Sequence, residues 1–302
     1  MIAVVSHDAG GAEVISSWLA NQRIDCDLVL GGPARGIFAR KLNVAGGPSL
    51  DEAISRAEWV LCGTSWSSDL EWRAIGMARD RGKRSVAYLD HWENYRQRFA
   101  RDGVLRLPDE IWVGDADAES VARESFPTIP ITLVPNAYFA DFAREVAELD
   151  SVTPPSSHED APVAINVLYL GENQSTHGDL TYGDPAHFGY TEIDTLIYLI
   201  THLYSLDRAV RAIRIRAHPS ETPDKYLEAI STLGVPTPAV EVSEGTLAQD
   251  VAWSDVVAGG TSMALALAAT AGRLAVSCIP DPSIGIALPG SMVARLNEFE
   301  PR

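Results

Sequence analysis

Ile213-Arg214-Ile215-Arg216-Ala217-His218-Pro219-Ser220 is the stretch whose reading decides the fold. Apolar and charged residues alternate up to Ala217, the two-residue period of a strand with unlike faces. The alternation stops at a His-Pro pair, because proline lacks an amide hydrogen and holds the residue before it in extended backbone. Further on, Asp255-Val256-Val257-Ala258-Gly259-Gly260-Thr261-Ser262-Met263 runs from a strand into two glycines and a hydroxyl pair that starts a helix. Both stretches place polar groups at the carboxyl end of a predicted parallel strand, where open α/β sheets bind ligands, so they form one candidate site.

Outward from them, short apolar runs alternate with helical patterns along the whole chain. In the first half the strands are expected over Ile2 to Ser6, Asp27 to Leu30, Trp59 to Thr64, Ser85 to Asp90, Glu110 to Val113 and Ile131 to Pro135. Gly11 to Asn21 carries Val14, Ile15, Trp18 and Leu19 on one helical face, and a second helix is expected over Ser67 to Arg81. In the second half, strands are expected over Ile165 to Leu170, Ile213 to Ala217, Ala239 to Val242, Asp255 to Ala258 and Leu274 to Ile279. The helices there are Thr191 to Tyr204, Pro223 to Leu233, Thr246 to Trp253 and Ser262 to Ala271. Such alternation implies βαβ units and parallel sheets covered on both faces, the α/β class. Ser151 to Pro162 (SVTPPSSHEDAP) has almost no apolar content and reads as a linker. The expected organisation is therefore a Rossmann-like unit over residues 1–150, a linker over 151–162 and a second Rossmann-like unit over 163–302, facing each other across a ligand-binding cleft.

Composition agrees with two cores. A chain of 302 residues, 46% of them hydrophobic, exceeds what one core usually holds. A net charge of -17 and a pI near 4.7 argue against a nucleic-acid partner, since affinity for the phosphate backbone comes from Lys and Arg. Three cysteines, Cys26, Cys62 and Cys278, make neither a disulfide framework nor a metal spacing. No apolar run approaches the roughly 20 residues that span a bilayer, and no signal-type segment begins the chain, so a cytoplasmic protein without a transmembrane segment is expected. Peripheral contact with a membrane is left open.

Polar stretches follow the predicted strands. Ser6-His7-Asp8-Ala9-Gly10-Gly11 lets backbone approach a ligand at Gly10 and Gly11 and offers His7 or Asp8 as a general base. Its bland alternative has Asp8 capping the next helix and His7 in a turn. Gly63-Thr64-Ser65-Trp66-Ser67-Ser68-Asp69 offers hydroxyls at Thr64 and Ser65 and a stacking face at Trp66, or simply a helix cap. Tyr88 to Phe99 is the densest cluster of acids, imidazole, aromatics and arginines and follows a strand, so Asp90, His91 and Glu93 are expected near the cleft, Asp90 for acid-base work and His91, Glu93 and Asn94 for the acceptor; a lid or interface segment is the competing reading. Gly171-Glu172-Asn173 starts a polar loop expected to reach Gly189, in which Glu172 and Asn173 are expected to meet a sugar or base. Thr176, His177, Asp184 and His187 are too irregularly spaced for a metal site, and none is assigned. Arg214 and Arg216 share a strand face with His218 nearby, either as anion ligands or as solvated charges. Gly259, Gly260, Thr261 and Ser262 would complete a phosphate cradle from amides and hydroxyls.

The His-Pro after a strand, followed by a hydroxyl pair at a helix start, resembles the donor-binding half of GT-B glycosyltransferases. The likeness is greatest to the bacterial sialyltransferase and polysialyltransferase type that use CMP-sugars. In that family these motifs bind the donor's nucleotide and phosphate, which implies those roles for His218, Pro219, Thr261 and Ser262. The family's acidic pair followed by glycine has no counterpart here; Asp90-His91 stands at a comparable strand end without the glycine. His7 resembles the catalytic histidine that other GT-B enzymes carry after their first strand. The resemblance implies a metal-independent glycosyltransferase with no cofactor. It would move a sugar from a nucleotide-sugar, possibly a CMP-sugar, to a hydroxyl-bearing acceptor (a glycan, lipid-linked sugar or protein) in surface-glycan synthesis or protein glycosylation. His7, Asp8 or Asp90 would deprotonate the acceptor. The alternatives are an epimerase or hydrolase like UDP-N-acetylglucosamine 2-epimerase, which shares the fold and a His-Pro near the nucleotide, and a non-catalytic sugar-nucleotide-binding protein.

Overall fold

The computed structural model describes residues 1–22, 24–44, 46–152 and 164–299. The chain divides into two compact units, Met1–Asp141 and Phe142–Arg302. The first contains β1 (Ile2–Ser6), α1 (Ala9–Ala20), β2 (Cys26–Leu30), α2 (Ala34–Leu42), α3 (Leu50–Arg56), β3 (Trp59–Cys62), α4 (Leu70–Asp80) and β4 (Arg84–Leu89). There follow a single turn α5 (Tyr95–Arg98), a hairpin of β5 (Ala100–Arg101) and β6 (Val104–Leu105), then β7 (Glu110–Val113), α6 (Ala116–Ser125) and β8 (Ile131–Leu133). Its main sheet is parallel in the order β2-β1-β3-β4-β7-β8. Every residue of β1 is buried, as a central strand with helices on both faces requires. Val4, Ile15, Phe38, Leu61 and Val86 form the heart of this unit's core.

Helix α7 (Ala137–Val152) carries the chain past the division between the units. Ser151 and Val152, expected to begin the linker, end this helix, and residues 153–162 lie outside the described ones. The second unit holds β9 (Ile165–Leu170), α8 (Gln174–Tyr182), α9 (Glu192–Thr201), β10 (Val210–Arg216), α10 (Asp224–Thr232), β11 (Ala239–Val242), α11 (Leu247–Trp253), β12 (Val256–Gly259), α12 (Met263–Thr270), β13 (Leu274–Ser277) and β14 (Ala294–Arg295). These strands are parallel in the order β11-β10-β9-β12-β13-β14. Renumbered from β9, that is the order 3-2-1-4-5-6 of the doubly wound dinucleotide-binding fold. Tyr169, Ile213, Ile215, Leu196 and Val276 form its core.

Two expectations need correction. The polar loop expected from Gly171 to Gly189 contains α8, whose sequence QSTHGDLTY has no apolar stripe to announce a helix. The helix expected from Ser67 begins at Leu70: Ser65 Oγ accepts from the Ser68 amide at 3.0 Å and Ser68 Oγ from the Leu70 amide at 3.1 Å, so these serines build a turn first. Among the described residues no helix is long and apolar enough to cross a membrane.

Candidate functional site

In each sheet the strand order reverses beside the unit's first strand, between β1 and β3 in one and between β9 and β12 in the other. Loops leaving the carboxyl ends of those strands diverge there and open a crevice. Of the motifs singled out in the sequence, those at residues 6–11, 63–69, 171–173 and 259–262 follow these strands, whereas Asp90 to Asn94 follows β4 and His218 follows β10.

After β1, Asp8 occupies the N-cap position of α1, yet its side chain makes no cap hydrogen bond. It reaches the loop after β3 instead. Asp8 Oδ1 accepts from Ser65 Oγ and Ser67 Oγ, each at 2.7 Å, and Oδ2 accepts from the Trp66 amide at 2.7 Å. Asp8 Oδ1 also lies 2.7 Å from His7 Nδ1. Burial alone would raise the Asp8 pKa, but these hydrogen bonds, His7's first, bring it down to about 2. An ionised Asp8 can only accept, so Nδ1 of His7 carries a hydrogen toward it, and in the neutral ring the lone pair is then on Nε2. That is the tautomer of a general base oriented by a carboxylate.

Glycines bring the loops together. A Cβ on Gly11 would stand 3.1 Å from the Gly63 Cα, and one on Gly10 would overlap Asp90 Oδ2, so the β1 loop packs directly on the ends of β3 and β4. Asp90 Oδ1 accepts from Thr64 Oγ1 at 3.3 Å and pairs with Arg98 Nη1 at 3.2 Å; the same Nη1 donates to Thr64 Oγ1 at 3.0 Å. Trp66 is 52% exposed with the Arg98 guanidinium 5.7 Å from its ring, an exposed indole on the residue whose amide holds Asp8. His91 turns inward to accept from the Trp92 amide at 3.0 Å, and burial lowers its pKa. Glu93 and Asn94 are exposed, and Asn94 spends its left-handed backbone (φ 59°) on starting α5. The structure thus gathers His7, Asp8, Gly10, Gly11, Thr64, Ser65, Trp66 and Asp90, and leaves Glu93 and Asn94 at the surface.

In the second unit Glu172 leads the loop after β9 and is 8% exposed. Its Oε1 accepts from the Thr261 amide at 2.8 Å, joining the β9 and β12 loops across the point where strand order reverses. Burial raises its pKa to about 7 against the pull of the Thr261 and Ser262 amides and Gln174. Ser262 caps α12 by accepting from the Ala264 amide, and Thr261 Oγ1 accepts from the Ala287 amide at 3.4 Å. His218 Nδ1 accepts from the Ser220 amide at 3.2 Å, with Ser220 Oγ 2.7 Å away. The hydrogen of the neutral ring then sits on Nε2, a tautomer opposite to that of His7, and burial lowers the His218 pKa so that the neutral ring is favoured.

Arg216, expected at a phosphate, is committed elsewhere. Its Nη1 contacts Asp250 Oδ2 at 2.8 Å, Ser243 Oγ at 3.1 Å and the Gly245 carbonyl at 2.8 Å. Arg214, on the same strand face, lies over Trp253 at 3.9 Å and pairs with Glu241 and Asp250. Asp250 is 1% exposed, so it needs both cations, and neither arginine is a solvated charge.

Sequence reasoning missed Glu71 on α4, which is 3% exposed and accepts from the His7 amide at 2.7 Å through Oε1. Burial lifts its pKa to about 7, and its Oε2 has no hydrogen-bond partner. Also missed was the cluster under the second unit's loops, where Lys225 bridges Glu192 and Glu221 while Tyr226 donates to Glu221 and to the Glu172 carbonyl. A Cβ on Gly171 would overlap Tyr226, so that glycine lets the loop lie on the ring. The contacts of Glu71, Glu192 and Glu172 span 17 to 89 residues, separations that no local pattern encodes. Among the described residues, no group of three or more His, Cys, Asp or Glu is placed to hold a metal ion.

No family model matches this sequence, and no curated protein matches it. Solved structures do match. The UDP-GlcNAc 2-epimerase from Methanocaldococcus jannaschii is similar with a TM-score of 0.62 at 10% identity, over 99% of this chain and 91% of that one. The UDP-GlcNAc 2-epimerase from Neisseria meningitidis, bound to UDP-GlcNAc, gives 0.57 at 13% identity, over 91% and 82%. MurG from Acinetobacter baumannii gives 0.53 at 8% identity, over 98% and 86%. At such identities the likeness shows the fold, two parallel-sheet α/β units of the GT-B kind.

Proposed function

We propose that the protein acts on a nucleotide-sugar and transfers its sugar to a hydroxyl-bearing acceptor without a metal or other cofactor. The acceptor is assigned to the first unit and the donor to the second. The observation that carries this reading is the opposite setting of two histidines: His7 presents a lone pair at Nε2, held so by Asp8, whereas His218 presents a hydrogen at Nε2. His7 takes the acceptor's hydroxyl proton as the new bond to the anomeric carbon forms. The bond from that carbon to the phosphate oxygen breaks, and its electron pair leaves with the phosphate. His218 and the start of α12 meet the charge that develops there, which is worth more in the transition state than in the ground state. Trp66 gives the acceptor a flat apolar face beside the base. Surface-glycan synthesis or protein glycosylation follows as the biological setting, with the resemblance to CMP-sugar enzymes as its support.

A melting-temperature screen with UDP, CMP, GDP and their sugar conjugates tests the donor half, because a ligand that binds only the folded state raises apparent stability. CMP would support the sialyltransferase-like branch; UDP would bring the chain nearer the enzymes it resembles in structure. His7→Ala is expected to lower turnover by about 10²–10⁴-fold while leaving the nucleotide's stabilising effect intact. An unchanged rate removes His7 as the base, whereas a wild type that binds nucleotide and turns nothing over leaves a binding protein.

The second reading is epimerisation or hydrolysis of the nucleotide-sugar. UDP-GlcNAc 2-epimerases recur among the similar structures, and Glu71 supplies a second proton-carrying group at the His7 loop. Incubating the protein with UDP-GlcNAc in heavy water, with no acceptor, separates the two. Deuterium entering the sugar at carbon 2 selects epimerisation; transfer requires the acceptor.

A further inference from the structure

The start of α12 is the natural place for a phosphate in the second unit, since its first amides point out of the helix and the helix dipole favours an anion. An anion sits just ahead of it, on the amide of Thr261 two residues before α12, and it belongs to the protein. Glu172 Oε1 takes the Thr261 amide at 2.8 Å. Its Oε2 is buried, without a hydrogen-bond partner, and turned toward Gly260, where a Cβ would overlap it. Gly260 therefore leaves room for a carboxyl group rather than for a side chain of its own.

We propose that Glu172 is an internal occupant of the anion position leading into α12, and that a phosphate-bearing ligand gains the Thr261 amide there only when the Glu172 carboxyl is neutral or turned aside. The inference rests on the assignment of the donor to the second unit and adds the way that site is emptied. An ionised Glu172 repels an incoming phosphate and competes with it for the same donors. A protonated Glu172 competes weakly and has a hydrogen to give.

The surroundings suit such an exchange. Tyr169 of β9, Tyr226 of α10 and Tyr190 near Gly260 surround the carboxyl with phenols, which remain uncharged because burial and neighbouring acids raise those of Tyr169 and Tyr226 well above the ordinary range. Lys225, the nearby cation, is engaged by Glu192, Glu221 and Ser175. His218, two residues beyond β10, has its pKa lowered by burial, so its neutral ring is favoured. With its pKa near 7, Glu172 passes from mostly neutral to mostly ionised between pH 6 and pH 8. The competent fraction, and with it the apparent affinity for an anion, then falls about tenfold over that interval.

Sulfate is the probe, because it carries two charges at both pH values and does not titrate itself. Calorimetric titration of the whole protein should show sulfate binding about tenfold more weakly at pH 8 than at pH 6. Glu172→Gln, which keeps an acceptor for the Thr261 amide, should bind at pH 8 as tightly as the wild type does at pH 6. His218→Gln should retain the pH dependence. Equal binding at both pH values, no sulfate binding at pH 6, a Glu172→Gln variant that binds more weakly, or pH dependence lost in His218→Gln would each overturn the inference. Should Glu172→Gln fail to fold, proton uptake on sulfate binding by His218→Gln, read from heats in buffers of different ionisation enthalpy, carries the same decision. UDP and CMP melting shifts at pH 6 keep the two claims apart: stabilisation by nucleotide without the sulfate behaviour removes the Glu172 inference alone.

Discussion

Asp8 and Glu71 touch the same turn after β1 and hold their protons in opposite senses. Hydrogen bonds keep Asp8 at about 2, while burial keeps Glu71 near 7. The sign for Asp8 is that of a depressed carboxylate: its stabilisation is present above the ordinary value of about 3.9 and is lost as pH falls through about 2. Asp8→Asn should flatten acid unfolding between pH 4 and pH 2. The same change places an amide against His7 Nδ1 and favours the hydrogen on Nε2, so turnover is expected to drop about 10²–10⁴-fold with little change in nucleotide binding. Glu71 runs the other way. Its folded pKa exceeds the unfolded one of about 4.3, so its contribution is full below that value and is lost as pH rises through about 7. Glu71→Gln should match wild type in chemical denaturation at pH 4 and exceed it by on the order of 3–4 kcal/mol at pH 8. A variant less stable at pH 8 would mean that the charged carboxylate is needed to hold the His7 amide.

At the level of elements, the first turn of α1 depends on two glycines, and α9 depends on the residue that caps it. Gly10→Ala forces a methyl group onto Asp90 Oδ2, so Asp90 must leave Thr64 and Arg98. Reduced activity with a lowered melting temperature is expected. Thr191 and Asp194 form a capping box at the start of α9, and Thr191→Ala should cost about 1 kcal/mol in a denaturant melt without altering ligand binding. The same elements explain what could be read in advance. Strands such as Ile165–Leu170 and Ala239–Val242 were expected at the bounds they have, because alternating or continuous apolar runs are local signals. Helix α8 was not, since neither face of QSTHGDLTY is apolar. The histidines were found because each directly follows a strand. Asp8's bonds to Ser65, Trp66 and Ser67, and Glu172's bond to Thr261, join strands 57 to 89 residues apart and become visible only once the strand order is known.

Across the whole chain, each unit has its own core and its own reversal of strand order, so ligand effects should be separable by region. Under the donor assignment proposed above, the net charge of -17 means that an anionic nucleotide would approach against the general field and be held only where directed donors offset it. The proposal puts those donors at the start of α12 and at His218. Hydrogen exchange with a stabilising nucleotide should therefore slow the amides of residues 171–175, 218–221 and 260–264. The loops at residues 7–11 and 64–68 should exchange as before. With ligand at about 100 times its dissociation constant, protection can rise by up to about 100-fold, and amides that open only by local fluctuation away from the ligand should gain nothing. Adding a productive acceptor should then slow residues 7–11 and 64–68 as well. Protection confined to the first unit would reverse the assignment of donor and acceptor, whereas protection spread evenly over both cores would indicate stabilisation without a localised site.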